Sequence, residues 1–346
     1  MPKISESEFK KLLNGNDFGT IYYICGTEKM FVSHYTKKLT EKLAGKNPSD
    51  FNFHTFTNSF NVDEFAAALQ VIPFVSEYNV VLVKDLDFSD FSAADGEKII
   101  KLLSSVAGDT VVILSFPTKS EEKSSAKDKT LKSTVMKKGT VAEFNKLTAG
   151  AVQKKLISWA SKRNVVLSQP LAMLIVDYCG NDLTALRNEL YKLCSYVGDG
   201  GEIRKEHIEK LVTKNLESSV FDLSRAVINH DGTAAFQVLD RLIYQKEEPV
   251  AILGVLAMSY VDMYRARITV KCGKRSSDLS EWFQYKSEFR LRQAENNSRK
   301  TSTAALRKSI DAIMTTDVDL KSKRTDSRVQ LEMLIVKLLM IANEDI

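Results

Sequence analysis

Two near-continuous apolar runs, Asn79 to Val83 and Thr110 to Phe116, constrain this chain more than any other feature. A strand with one wet face alternates apolar and polar residues, whereas an unbroken run fits a strand buried on both faces, as in a parallel sheet covered by helices. Helical segments surround these runs. Thr20 to Cys25 is a third β-rich run, ending at Gly26 and leading into a helical stretch through Leu43. Phe51 to Thr57 alternates apolar and polar residues, Phe65 to Leu69 sits in a short helical pattern, and Glu97 to Val106 joins the two apolar runs. Strand and helix in alternation predict an α/β doubly wound domain over residues 1–145.

After about residue 146 the β signal stops. Leu183, Leu186, Leu190, Leu193 and Val197 form the stripe of an amphipathic helix, which Asn181 or Asp182 can cap and Gly198, Gly200 and Gly201 end. Pro249 after Glu247-Glu248 suits a first helical position, and Leu331, Leu334, Ile335, Leu338 and Leu339 stripe a final helix. A length of 346 residues, at roughly 150 per domain, suits two or three domains. The pattern gives an α/β domain (1–145), a small helical domain (146–213) and a larger helical one (214–346).

Several chemistries are excluded early. The four cysteines come no closer than fifteen positions, and the four histidines have no H-E-x-x-H spacing, so no metal site is expected. No apolar stretch is long enough to span a membrane, and the segment from Met1 to Glu6 lacks the apolar core of a signal peptide, so a cytoplasmic protein is expected.

Gly26 to Ser33 occupies the strand-to-helix position of a P-loop. That motif needs a second glycine, so that backbone can wrap phosphate, and a lysine to neutralise it. Phe31 and Val32 stand at those two positions; only Gly26 and Ser33 remain, and Lys29 comes three residues early. After Val80-Val81-Leu82-Val83 comes Lys84-Asp85-Leu86-Asp87, without the adjacent carboxylates of a Walker-B strand. Two degraded nucleotide motifs in the right order suggest a nucleotide-hydrolase fold without catalysis. No cofactor is expected.

Two basic stretches remain. Lys119 to Lys138 carries seven lysines against three acids, and Arg265 to Lys308 carries twelve Lys/Arg against four acids. In the second, Trp282, Phe283, Tyr285 and Phe289 are interleaved with the charges, a composition able to follow a phosphate backbone. Arg265, Arg267, Lys271, Lys274 and Arg275 are the candidate DNA contacts; the alternative is a helix core with a solvated basic face.

The whole chain resembles the delta subunits of bacterial DNA polymerase III clamp loaders. The resemblance rests on Tyr178-Cys179-Gly180-Asn181-Asp182-Leu183 through Asn188-Glu189-Leu190-Tyr191-Lys192-Leu193, similar to a "G-x-D-L … N-E-x-x-K-L" signature. Val220-Phe221-Asp222-Leu223 with Ala226, Glu247-Glu248-Pro249 with Ile252-Leu253, Asp317 to Lys321 and Leu331-Glu332 carry the rest. It implies a RecA-like, AAA+-like α/β domain, a helical lid and a helical collar within a hetero-pentamer. The partners implied are ATPase and stator subunits, the beta sliding clamp, and primed DNA through the assembled loader. Such a subunit has no working ATP site and binds and opens the clamp, in a bacterial cytoplasm at the replisome. As part of the polymerase holoenzyme it is a nucleotidyltransferase by association only. The ATPase and stator relatives commonly carry zinc-binding cysteines, which this chain lacks.

The family's clamp-contacting element, an apolar residue followed by Phe, falls at Val71 to Glu77, and Ile72, Pro73, Phe74 and Val75 are its candidates here. Apart from the resemblance, Pro73 is a helix breaker and Phe74 follows it at a turn from which a ring can project. The competing reading packs Ile72 and Phe74 into their own domain. Glu77 and Tyr78 stand where some relatives carry Arg and Gln, so polar rim contacts are less defined. Two rival functions are an active AAA+ ATPase with an unorthodox P-loop and a stand-alone DNA-binding protein.

Overall fold

The computed structural model describes residues 3–58, 60–74, 76–85, 88–117, 126–283, 285, 288–322 and 325–345. They form two compact units, Met1–Thr148 and Ala149–Ile346.

In the first unit a six-stranded, wholly parallel sheet has the order β1-β6-β2-β5-β4-β3. Its strands are β1 (Lys3–Ile4), β2 (Ile21–Cys25), β3 (Phe53–Thr57), β4 (Asn79–Lys84), β5 (Thr110–Phe116) and β6 (Thr140–Glu143). The helices are α1 (Glu6–Asn14), α2 (Lys29–Ala44), α3 (Val62–Leu69), α4 (Ala93–Ser104) and α5 (Ala126–Lys138). The apolar runs have the predicted role: β4 and β5 lie inside the sheet, and Val80 to Val83 and Val111 to Leu114 are buried. One face carries Val81, Val83, Val112 and Leu114 against Phe65 of α3, Leu103 of α4 and Leu131 of α5. On the other face, the Phe9 ring of α1 meets Tyr22 of β2 edge-on, at 6.5 Å. β3 is the edge strand, so its side chains are only half-buried or exposed, in keeping with its alternating sequence. β1 and β6 carry too few apolar residues to have been legible beforehand.

The second unit is helical, with α6 (Ala149–Ser161), α7 (Gln169–Cys179), α8 (Leu183–Val197), α9 (Lys205–Leu211) and α10 (Leu216–Ile228), then α11 (Gly232–Tyr244) and α12 (Pro249–Lys271). α13 (Leu279–Phe283), α14 (Glu288–Ser298), α15 (Thr303–Ser322) and α16 (Ser327–Asn343) complete it. One departure from the all-helical expectation is a parallel bridge between Val166 and Glu202. Asp182 caps α8, accepting from the N–H groups of Thr184 and Ala185, and Gly198 ends it with φ +78°. Leu183, Leu186, Leu190 and Leu193 are buried. A separate core runs from Val220 of α10 to Leu338 of α16 and takes in Leu331, Leu334 and Ile335. No helix among the described residues is long and apolar enough to cross a membrane.

Candidate clamp-contact turn and degenerate nucleotide loop

The parallel sheet has two ends, and each holds one of the sequence candidates. At the end where the strands begin, α3 stops after Leu69. The Asn79 amide donates to the Ala68 carbonyl at 2.8 Å, and the Thr110 hydroxyl to the Leu69 carbonyl at 3.4 Å. These bonds take up carbonyls that a helix terminus leaves free. The helix ends at its Gln70 cap, three residues ahead of Pro73, where a stop proline belongs, and side chains of β4 and β5 take up its last carbonyls.

The chain then turns outward. Phe74 is 94% exposed and Ile72 81% exposed, while Pro73 is half-buried. Both large apolar side chains face solvent, which decides against packing within their own unit. Val75, the fourth candidate, lies outside the described residues. The turn is held from below by Asn52, 4% exposed, just ahead of β3. Its Oδ1 accepts the Phe74 N–H at 3.3 Å and its Nδ2 donates to Ser76 Oγ at 3.1 Å. Ser76 Oγ in turn donates to the Tyr78 carbonyl at 2.6 Å. Sequence reasoning missed Asn52, because its partners lie more than twenty residues away.

At the opposite end, where ligands bind α/β sheets, the loop after β2 is closed by its own protein. The Glu28 N–H donates to the Phe144 carbonyl at 2.9 Å and the Phe144 N–H to the Cys25 carbonyl at 2.7 Å. The Thr27 N–H donates to Asn145 Oδ1 at 3.4 Å. Gly26 has φ +142°, and a Cβ there would lie 2.0 Å from the Phe144 carbonyl oxygen. A glycine here permits close packing against Phe144, the residue after β6. Phe31 and Val32 are buried, and the Phe31 ring meets those of Tyr35 and Phe144 at 6.1 and 6.2 Å. Ser33 lines a cleft of about 640 Å³ together with Lys29, Lys84 and Asp85. Asp85 is exposed, with φ +51°; Asp87 lies outside the described residues.

In the second unit the basic segment is largely engaged with itself. Asp262, fully buried on α12, receives Arg290 Nε and the Tyr285 hydroxyl, each at 2.5 Å, and Arg265 at 3.5 Å. A buried carboxylate requires such partners. The Arg265 guanidinium also lies over the Phe283 ring at 4.0 Å, and Lys274 over Trp282 at 4.6 Å. Lys271 donates to Thr303 Oγ1 at 2.7 Å, and Arg275 approaches Asp278 at 3.9 Å. Arg267 is half-buried, its Nε without a hydrogen-bond partner among the described residues. Trp282 and Phe283 remain about half exposed, neither a core nor a bare stacking platform. The side chain of Phe289 and residues 119–125 of the other basic stretch lie outside the described part.

The "G-x-D-L" residues have structural work. Gly180 ends α7 with φ +76°, where a Cβ would sit 2.9 Å from Asn215 Nδ2. Asp182 is the α8 cap, and Glu189 accepts the Thr213 N–H at 3.1 Å.

Known proteins resemble the chain on both sides of this segment. Residues 22–143 match the family model described as DNA polymerase III, delta subunit, and residues 217–338 match the model for the C-terminal domain of the DNA polymerase III delta subunit. The DNA polymerase III subunit delta of Bacillus subtilis is 23% identical over 341 residues, 95% of either chain. The solved structure of the Bacillus subtilis DNA clamp loader delta protein (YqeN) superposes with a TM-score of 0.62 at 21% identity, covering 96% of this chain and 99% of that one. The fold is thus the expected one, an AAA+-like α/β domain followed by helical parts.

Proposed function

Since the chain belongs to the DNA polymerase III delta subunit family and is a clamp-loader subunit, we propose that it binds the beta sliding clamp through Ile72, Pro73, Phe74 and Val75 and opens the ring. The exposed Phe74 ring on a tethered turn carries this reading, because an apolar side chain held in water gains most from a partner's pocket. Opening needs only that the clamp's distorted interface bind this surface better than the closed one does.

The same reading makes the chain a non-ATPase. The internally bonded Gly26 to Glu28 loop and the buried Phe31 and Val32 favour it over an active ATPase. ATP-driven steps then belong to ATPase subunits that join it, with a stator, in a hetero-pentamer at the replisome. Residues 1–145 serve as the clamp-binding domain, 146–213 as the lid and 214–346 as the collar. Arg265, Arg267, Lys271, Lys274 and Arg275 approach primed DNA only within the assembled loader. Four of the five already have protein partners, which favours assisted over stand-alone DNA binding.

The test is surface plasmon resonance of the purified chain over immobilised sliding clamp from the same source. Saturable binding that Phe74→Ala abolishes or strongly weakens is expected. Binding unaffected by that change refutes the assignment.

A further inference from the structure

We infer that Asn52 is the positioning residue of the clamp-contacting turn, holding Phe74 in its outward pose before the clamp arrives. The inference rests on the clamp-binding reading above. An exposed loop beside a helix end ordinarily samples many backbone states, and a partner that needs one of them must bear the ordering cost. Here one side chain bonds both Phe74 and Ser76. The Asn52 amide takes the N–H of Phe74 at 3.3 Å and donates to Ser76 at 3.1 Å.

Asn52 is itself fixed by the sheet. Its backbone N–H donates to the Ser49 carbonyl at 3.0 Å, and its carbonyl accepts the Val80 N–H of β4 at 2.8 Å. The pose of Phe74 is therefore referred to the start of β3 and β4. A primary amide supplies an acceptor and a donor from two separate atoms of one short side chain; an ionised aspartate has no donor, and alanine has neither.

Positioning has a signature that general stabilisation lacks: it acts through Phe74 alone. Clamp affinity is measured for the full chain, Asn52→Ala, Phe74→Ala and the double variant, each checked for folding by urea titration. Asn52→Ala is expected to weaken binding about 5- to 30-fold, the equilibrium cost of fixing one backbone residue. In the Phe74→Ala background the same change is expected to alter affinity less than twofold. Wild-type affinity in Asn52→Ala beside a weakened Phe74→Ala overturns the positioning role and leaves the clamp-binding reading standing. Equal losses in both backgrounds also overturn it. Phe74→Ala with wild-type affinity overturns both readings together. Should Asn52→Ala not fold, Ser76→Ala removes the second bond and is judged in the same cycle by the same criteria.

Discussion

The backbone N–H of Glu28 donates to the carbonyl of Phe144, 2.9 Å away, and so ties the loop after β2 to the end of β6. A phosphate-binding loop leaves its N–H groups free for the ligand. Here the donors of Thr27 and Glu28 are already used. Mg-ATP at millimolar concentration is expected to leave the melting temperature of the isolated chain unchanged, as followed by differential scanning fluorimetry. A rise of several degrees that ADP competes away would contradict this reading.

Writing the P-loop residues back in should not rescue nucleotide binding. Phe31 is buried among Tyr35 and Phe144, so Phe31→Gly opens a cavity costing on the order of 3–5 kcal/mol. Urea unfolding of a Phe31→Gly, Val32→Lys variant is expected to show that loss, with no ATP binding in return.

Phe74 and Phe65 make a contrasting pair in one unit. Phe65 is fully buried against Phe56 and Phe60, with ring centroids at 5.6 and 5.0 Å, whereas Phe74 faces water. Phe74→Ala should change fold stability by no more than about 0.5 kcal/mol. Its clamp affinity should fall roughly 30- to 1,000-fold, as for a hot spot worth ~2–4 kcal/mol. Phe65→Ala should lose ~3–5 kcal/mol of stability. Calorimetric binding titrations and urea unfolding on the same preparations separate the two effects.

What was legible in the sequence follows from how local its cause was. β4, β5 and α8 were legible because burial on both faces, or on one helical stripe, writes itself into consecutive residues. β1 and β6 are two and four residues long, too short for any period to register. The loop after β2 could be singled out from Gly26 to Ser33, but the bonds that tie it to Phe144 join residues more than a hundred positions apart. At the turn after α3 the exposed Phe74 could be picked out. Asn52 could not, nor could the termination of α3 by Asn79 and Thr110, because hydrogen bonds from a folded neighbour leave no periodic mark.

The thiols should separate by burial. Cys25, Cys179 and Cys194 are buried and Cys272 is exposed. Burial, with Glu189 nearby and Lys192 opposing, pushes the Cys179 thiol up from 9.0 to about 12. At pH 8 a thiol with such a pKa is only about 0.01% thiolate, the form that reacts. Ellman's reagent is expected to label one thiol quickly in the native chain and the rest only on unfolding. The folded state holds the Cys179 proton more tightly than the unfolded state does. Its contribution is therefore whole below about pH 9 and declines as pH rises towards 12, so stability falls over that window. Cys179→Ser should flatten the fall, which urea midpoints across the window measure.

The last helix has one buried and one exposed apolar face. Leu331, Leu334, Ile335 and Leu338 fill the core they share with α10, α11, α12, α14 and α15, so removing the chain from about residue 325 would unfold that core as well as any assembly surface. Val329, Met333, Val336 and Met340 recur along the other side of α16 at offsets 0, 4, 7 and 11, and all are exposed. An apolar row in water at helical spacing suits the flank of a neighbouring subunit in the proposed collar. Replacing exposed side chains seldom moves stability beyond about 0.5 kcal/mol, whereas a carboxylate forced into a dry interface without a partner is strongly unfavourable. Met333→Glu with Met340→Glu is thus expected to leave the urea midpoint and clamp binding of the isolated chain intact. The same variant should fail to co-elute with the ATPase and stator subunits in gel filtration. Normal co-elution would place the assembly surface elsewhere on the helical unit, with the exposed Met314 and Val318 of α15 the next residues to change.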